Sequence, residues 1–233
     1  MIIEPGLDVE TTTQIGGLRR RAPAAVPDAR TMLRVSVLLA AGAAPVLSIS
    51  LYVFGLMPMT IAAACLVFPL AALAIILVIK GSPEAAWAAR GFAAGLLAVT
   101  AYDTARLPLV WLNVWPDFIP RLGGWLIDST TPNAPLGYLW RYVGDGGGIG
   151  VAFFVSCGVL IQFFPGLIIS HPVRLATCYG IFVWTGLIAT IAVAPRGEQL
   201  LFALTPASLG LSLLGHLIYG SVLGVSLRRH IRN

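Results

Sequence analysis

The chain has 233 residues, 58% of them hydrophobic and 11% charged, with a mean hydropathy of +0.87. A soluble domain carries about a quarter charged residues, and one small core could not hide this much apolar surface from water, so the composition excludes an ordinary soluble domain and makes the bilayer the solvent. The net charge of +5 comes from arginines in short tracts beside apolar segments, a membrane-topology pattern, and no basic stripe interleaved with aromatics points to nucleic acid.

Residues 1–31 are polar and read as a cytoplasmic tail. Arg19, Arg20 and Arg21 look like a twin-arginine signal, but the apolar run that follows is long enough to remain as a spanning helix. An all-α, polytopic membrane bundle is expected over 32–228, with about six transmembrane helices. The first covers 33–54. Gly55-Leu56-Met57-Pro58 turns the chain, and the second helix runs to 79, closed by Lys80 and Gly81. Ser82 and Pro83 form a good helix start, N-cap followed by the first helical position, and the third helix runs from 85 to 112. A long outer loop, 113–148, follows. The remaining helices are expected at 149–164, 175–193 and 202–227, and a basic cytoplasmic end at 229–233.

With the N-terminus in the cytoplasm, eleven Lys and Arg fall on the inner side and four on the outer: Arg106, Arg121, Arg141 and Arg196. That bias, with an even helix count, puts both termini in the cytoplasm. In or beside the outer loop lie Trp111, Trp115, Trp125 and Trp140, which read as anchors at the headgroup level, where an amphipathic ring meets both lipid and water. Within it, residues 117–128 could make a short interfacial helix, with Phe118, Ile119, Leu122, Trp125 and Leu126 dipping inward. VGDGGGIG, residues 143–150, lacks the register and the Lys of a phosphate loop. It reads as a flexible entry to the fourth helix or a place of close backbone packing.

Asp103 and Arg106 stand in the third helix, three residues apart, so they can pair. A lone charge in hydrocarbon costs roughly 2.5 to 3.5 kcal/mol even on the mild insertion scale, so such residues face the bundle and find company. Pro108 frees the Thr104 carbonyl and favours a kink. The last helix carries His216 and Tyr219. Gly91 and Gly95 in the third helix, and Gly220 and Gly224 in the last, form two GxxxG motifs, which let backbones approach closely. Packing of these two helices on each other would bring Tyr102, Asp103, Arg106, His216 and Tyr219 into one polar cluster, with Asp103 near His216. Such a cluster is either an interhelical clasp or the lining of a pocket for a proton, an ion, an anionic headgroup or a quinone-like ligand.

Cys65, Cys157 and Cys178 are far apart and suggest no metal or disulfide site. HExxH and GxSxG are absent, so no catalytic residue and no metal site are assigned. No cofactor is predicted, although a bound lipid, quinone or pigment would suit a lipid-phase site. His216-Leu-Ile-Tyr219-Gly220-Ser-Val-Leu-Gly224, together with Gly91, Gly95 and YDTAR, resembles helices of small multi-pass bacterial inner-membrane protein families whose roles are uncharacterised. The resemblance covers two helices of six. It implies a bacterial inner-membrane location and no activity. The leading expectation is a non-catalytic structural or accessory subunit of a membrane assembly, with membrane lipid and other membrane subunits as partners. The alternatives are a small proton- or ion-coupled carrier or channel using Asp103, Arg106 and His216, and a lipid- or quinone-directed membrane enzyme in which Arg106 binds an anion.

Overall fold

The computed structural model of the chain describes residues 28–232, and all regular structure among them is helical. The tail expected over 1–31, with Arg19, Arg20 and Arg21, lies outside the described residues as far as residue 27. Helix α1 (Ala29–Val53) starts where Asp28 accepts a 2.8 Å hydrogen bond from the Thr31 N–H. Hydrogen bonding from the Thr31 side chain, and then from its N–H, holds the Asp28 carboxyl below its usual range. Helix α2 (Met59–Ile79) follows a turn in which Gly55 adopts φ 73°, and α3 (Pro83–Trp111) follows a second with Gly81 at φ 69°. Any Cβ would strain those backbones. Ser82 caps α3 by accepting from the Ala85 N–H at 3.2 Å. Then come α4 (Ile119–Leu126), α5 (Ala134–Phe163), α6 (Pro165–Ser170), α7 (Pro172–Val193), α8 (Gly197–Leu200) and α9 (Pro206–Arg232).

Five helices are long and apolar enough to cross a membrane: α1, α2, α5, α7 and α9. This makes the chain a multi-pass membrane protein. Helix α3 is as long, at 29 residues, but carries Glu84, Arg90, Asp103 and Arg106.

The 113–148 loop is corrected by the structure. Helix α5 begins at Ala134, so residues 143–150 lie inside a helix. Glycine is a poor helix former in water because the chain gives up conformational freedom and exposes backbone. Here its smallness decides the outcome, because α5 passes between α1 and α3 at backbone contact. A Cβ on Gly91 would stand 2.5 Å from the Gly150 carbonyl oxygen, one on Gly95 would collide with that of Gly146, and one on Gly148 would stand 2.5 Å from that of Gly42. The two GxxxG motifs therefore do not meet each other. Gly91 and Gly95 receive α5, whereas Gly220 and Gly224 receive α7, at Ala176 and Val173. Helices α3 and α9 do pack on each other, as expected, with the Tyr102 ring where a Cβ on Gly215 would be and Arg90 Nη1 3.0 Å from His230 Nε2 near the other end.

The connections 54–58, 112–133 and 194–205 gather at one end of the bundle, the capped end. Helix α4 closes it, with Ile119, Leu122 and Trp125 buried and the Trp125 ring stacked 4.5 Å from that of Tyr52. Of the four expected interface anchors, only Trp111 is open, at 76% exposure, while Trp115, Trp125 and Trp140 are buried in the protein. Trp125 and Trp140 pack in the cluster with Ile119 and Leu122, and Trp115 packs in the cluster with Tyr102.

Candidate functional site

The buried residues of α3 form one stripe: Ala85, Ala88, Gly91, Ala94 and Gly95, Ala98 and Val99, Tyr102 and Asp103, then Arg106. Spacings of three and four keep them on a single helix face. The stripe is made of small residues where α5 must come close and of charged residues towards the capped end. Asp103 is 0% exposed and Arg106 3%. Counting residues back from Trp111 places Asp103 about 12 Å below the end of α3.

Asp103 and Arg106 do pair, Oδ1 to Nε at 3.5 Å, but each has a second partner outside the expected cluster. Arg141 of α5 brings Nη2 to 3.2 Å from Asp103 Oδ1. Arg106 donates through Nη2 and Nη1 to Asp117 Oδ1, at 2.8 and 3.3 Å. Asp117 also accepts from the Ile119 N–H at 3.1 Å and from the Tyr138 hydroxyl at 2.9 Å. The result is a chain of alternating charge, Arg141–Asp103–Arg106–Asp117, closed by Tyr138. It ties α3, the 112–118 connection and α5 together, and its four charges sum to zero. An isolated buried ion would be far more costly.

His216 joins this group only through aromatic contact. Its ring meets Tyr102 edge-on at 5.6 Å, and Nδ1 lies 2.7 Å from the Ser212 carbonyl oxygen. No hydrogen bond links Asp103 to His216, contrary to the expected approach. Two arginines claim Asp103, and the Arg141 guanidinium also lies 4.4 Å over the Tyr102 ring. Tyr219 donates to the Gly146 carbonyl at 2.6 Å. Arg106 is not open to bind an anion, because its guanidinium already serves two carboxylates.

Asp117, Tyr138, Arg141 and Asp145 were missed. A signal existed: Arg106 and Arg141 are two of the four cations on the unfavoured side of the charge bias, and a cation there needs a reason such as an internal carboxylate. Arg141 and Asp145 occupy a π-helical turn, Trp140–Gly146, within α5, a distortion often found at functional sites.

Beside this network lies a cavity of about 390 Å³, bounded by α1, α3, α5, α7 and α9. Leu47 of α1 and Phe182 of α7 line it and are also exposed on the outside, at 55% and 72%, so the cavity opens sideways between those helices. Helices α1 and α7 are joined near the capped end by Ser50 Oγ and Thr190 Oγ1, 3.4 Å apart. Above the cavity, the Phe118 and Phe202 rings lie 5.8 Å apart. The walls are mostly apolar. Its polar lining residues include Tyr102, Arg106, Arg141, Asp145 and His216, with the hydroxyls of Ser50, Thr190 and Ser212.

Among the described residues, no cluster of His, Cys, Asp or Glu is arranged to hold a metal ion. The cysteines are free, with Cys157 buried and Cys65 and Cys178 exposed. No family model matches the sequence, and neither the curated proteins nor the solved structures gave a match.

Proposed function

We propose that this chain is a six-span membrane protein that takes a lipid-soluble molecule sideways from the bilayer into the cavity between α1 and α7, as a binding or accessory protein rather than an enzyme. The observation that carries this reading is the side opening, where Leu47 and Phe182 belong both to the lipid-facing surface and to the cavity wall. A volume of 390 Å³ is within the range of small-molecule sites. Filled with water, the mostly apolar walls would carry the usual cost of wetting apolar surface. Hydrocarbon from the bilayer fills it at no such cost.

The sixth span is α3. Its charges do not count against crossing, because Asp103 and Arg106 are neutralised by Arg141 and Asp117 within the protein. The same pairing sharpens the topology. Of the four cations expected outside, Arg106 and Arg141 are held in the network, which leaves Arg121 and Arg196 to face the outer water. Both termini then lie in the cytoplasm and the capped end outside. The resemblance of the third and last helices supports a bacterial cytoplasmic membrane.

Gly186 supplies the test. It lines the cavity, and a Cβ there meets nothing within 4 Å, so Gly186→Leu adds bulk at the cavity wall from an unobstructed position. Native mass spectrometry of protein extracted gently from its own membrane should find about one retained lipid-like molecule per wild-type chain and none on Gly186→Leu. Equal retention by both would refute the reading.

A further inference from the structure

The glycine seam of the last helix runs on into charge. Gly220, Gly224, Arg228 and Arg232 follow one another at intervals of four, so they lie along one face of α9. The two glycines let α9 rest on the start of α7, where a Cβ on Gly224 would stand 2.5 Å from the Val173 Cα and 3.0 Å from the Pro172 carbonyl oxygen. The same face then carries Arg228 and Arg232 to the N-terminus of α7. With Arg174 and His171 they line a cleft of about 450 Å³ at the end of the bundle opposite the cap.

No carboxylate among the described residues lines this cleft. The described carboxylates at the same end are otherwise engaged: Asp28 caps α1, and Glu84 lies 3.8 Å from Arg34. Arginines are common at the inner end of a membrane protein, but three around one cleft repel one another. Arg228 and Arg232 also stand at the spacing where like charges destabilise a helix. The start of α7 adds to the positive field, because its first-turn amides point out of the helix and His171 supplies no side-chain cap. Such a site favours an anion. The remaining walls are apolar: Ile169 and Ile231 line the cleft, and Phe164, Leu167 and Ile169, in and just before α6, are exposed.

We propose that this cleft binds the phosphate of an anionic phospholipid from the adjoining leaflet, with Arg174, Arg228 and Arg232 on the phosphate oxygens and the acyl chains along α6. Basic pockets between spanning helices suit such headgroups, and the planar guanidinium can donate two bonds to one phosphate. The exposed apolar side chains of α6 favour a lipid over a free phosphate. The site lies apart from the side cavity, and neither depends on the other. The cleft is open, so its lipid exchanges with detergent and is measured by titration rather than by retention.

The test titrates full-length protein in mild detergent with phosphatidylglycerol, with phosphatidylcholine of the same chains and with glycerol phosphate, and counts bound ligand by native mass spectrometry. Phosphatidylglycerol should bind about tenfold more tightly than either of the others, or better. The first comparison isolates net charge and the second isolates the chains. Arg174→Gln/Arg228→Gln should weaken that binding by about tenfold or more, since two charge-assisted contacts are lost. Arg174→Lys/Arg228→Lys keeps the charge and should restore most of it, which separates lost binding from lost folding. Arg229 is exposed on the same helix but does not line the cleft, so Arg229→Gln should change binding less than about twofold. Gly186→Leu, in the side cavity, should leave it unchanged. Equal binding of phosphatidylglycerol and phosphatidylcholine would overturn the anion site. Glycerol phosphate binding as tightly as phosphatidylglycerol would overturn the lipid as the source of the phosphate. An equal loss from Arg229→Gln would replace the cleft with diffuse surface charge and overturn the proposal.

Discussion

Arg141 reaches across 38 residues of sequence to place its Nη2 3.2 Å from Asp103 Oδ1, deep in the bundle. This contact joins α5 to α3 at the level where their backbones stop touching glycine to glycine. It gives the π-helical turn of α5 a fixed partner, and Arg141 and Asp145, about one turn apart, both line the cavity.

The Asp103–Arg141 pair should therefore behave as a unit. Asp103→Asn leaves Arg141 buried without its carboxylate and should destabilise the protein by about 3 to 5 kcal/mol, as breaking a buried ion pair does. Arg141→Gln should be similar. The double variant should lose clearly less than the sum of the two. Thermal or denaturant unfolding in mild detergent measures all four corners of this cycle, and additive losses would mean the two residues are not coupled.

Tyr138 donates to Asp117, which in turn holds Arg106 and starts α4. Tyr138→Phe removes one hydrogen bond to a charged acceptor and should cost about 1.5 to 3 kcal/mol. Loosening should concentrate in residues 112–126. Hydrogen exchange should rise there while the glycine seam of α3 and α5 stays protected. Uniform loss across the chain would argue against a local anchor.

Glycine positions separate into two kinds. Gly95→Ala and Gly150→Ala drive a methyl group into a backbone carbonyl across the α3–α5 seam and should each destabilise by about 1 to 3 kcal/mol or more, the range for overpacking. Gly210→Ala meets nothing within 4 Å and should be neutral or slightly stabilising. The three proteins can be compared by their unfolding midpoints in one detergent, and equal midpoints would contradict backbone contact at the seam.

Sidedness has a direct check. Ser129 is half-buried on the capped end, and Lys80 is exposed at the opposite end. In a variant whose native cysteines are replaced by alanine, Ser129→Cys should react with a membrane-impermeant thiol reagent in intact cells, and Lys80→Cys only after the membrane is opened. The reverse pattern would turn the proposed topology over.

Much of the bundle was legible in the sequence because hydrocarbon leaves a strong mark: runs of apolar residues, each ended by Gly, Pro or Arg. The short helix with Ile119, Leu122 and Trp125 inward was also readable. The course of 134–148 was not. Its glycines carry the signal of a loop in water, and their role in a helix emerges only when α1 and α3 close on α5. The tryptophans misled for a related reason. An isolated ring prefers the headgroup level, but Trp115, Trp125 and Trp140 had a protein interior available to them. Tyr102, Asp103 and Arg106 stood out as costly in lipid. Arg141 and Asp117 did not, because residues assigned to a loop were allowed to meet water. His216 meets Tyr102 but not Asp103, because Asp103 is taken by Arg106 and Arg141, and the glycines of the third helix meet Gly146 and Gly150 rather than those of the last.

The most direct measurement is photocrosslinking in the native membrane from a photoreactive residue at Val183, which lines the cavity, against a control at Leu73 on the exposed face of α2. Val183 should capture a narrow set of lipid species, while Leu73 captures the bulk lipid mixture. The same mixture from both positions, or water alone at Val183, would contradict a lipid-phase ligand site between α1 and α7.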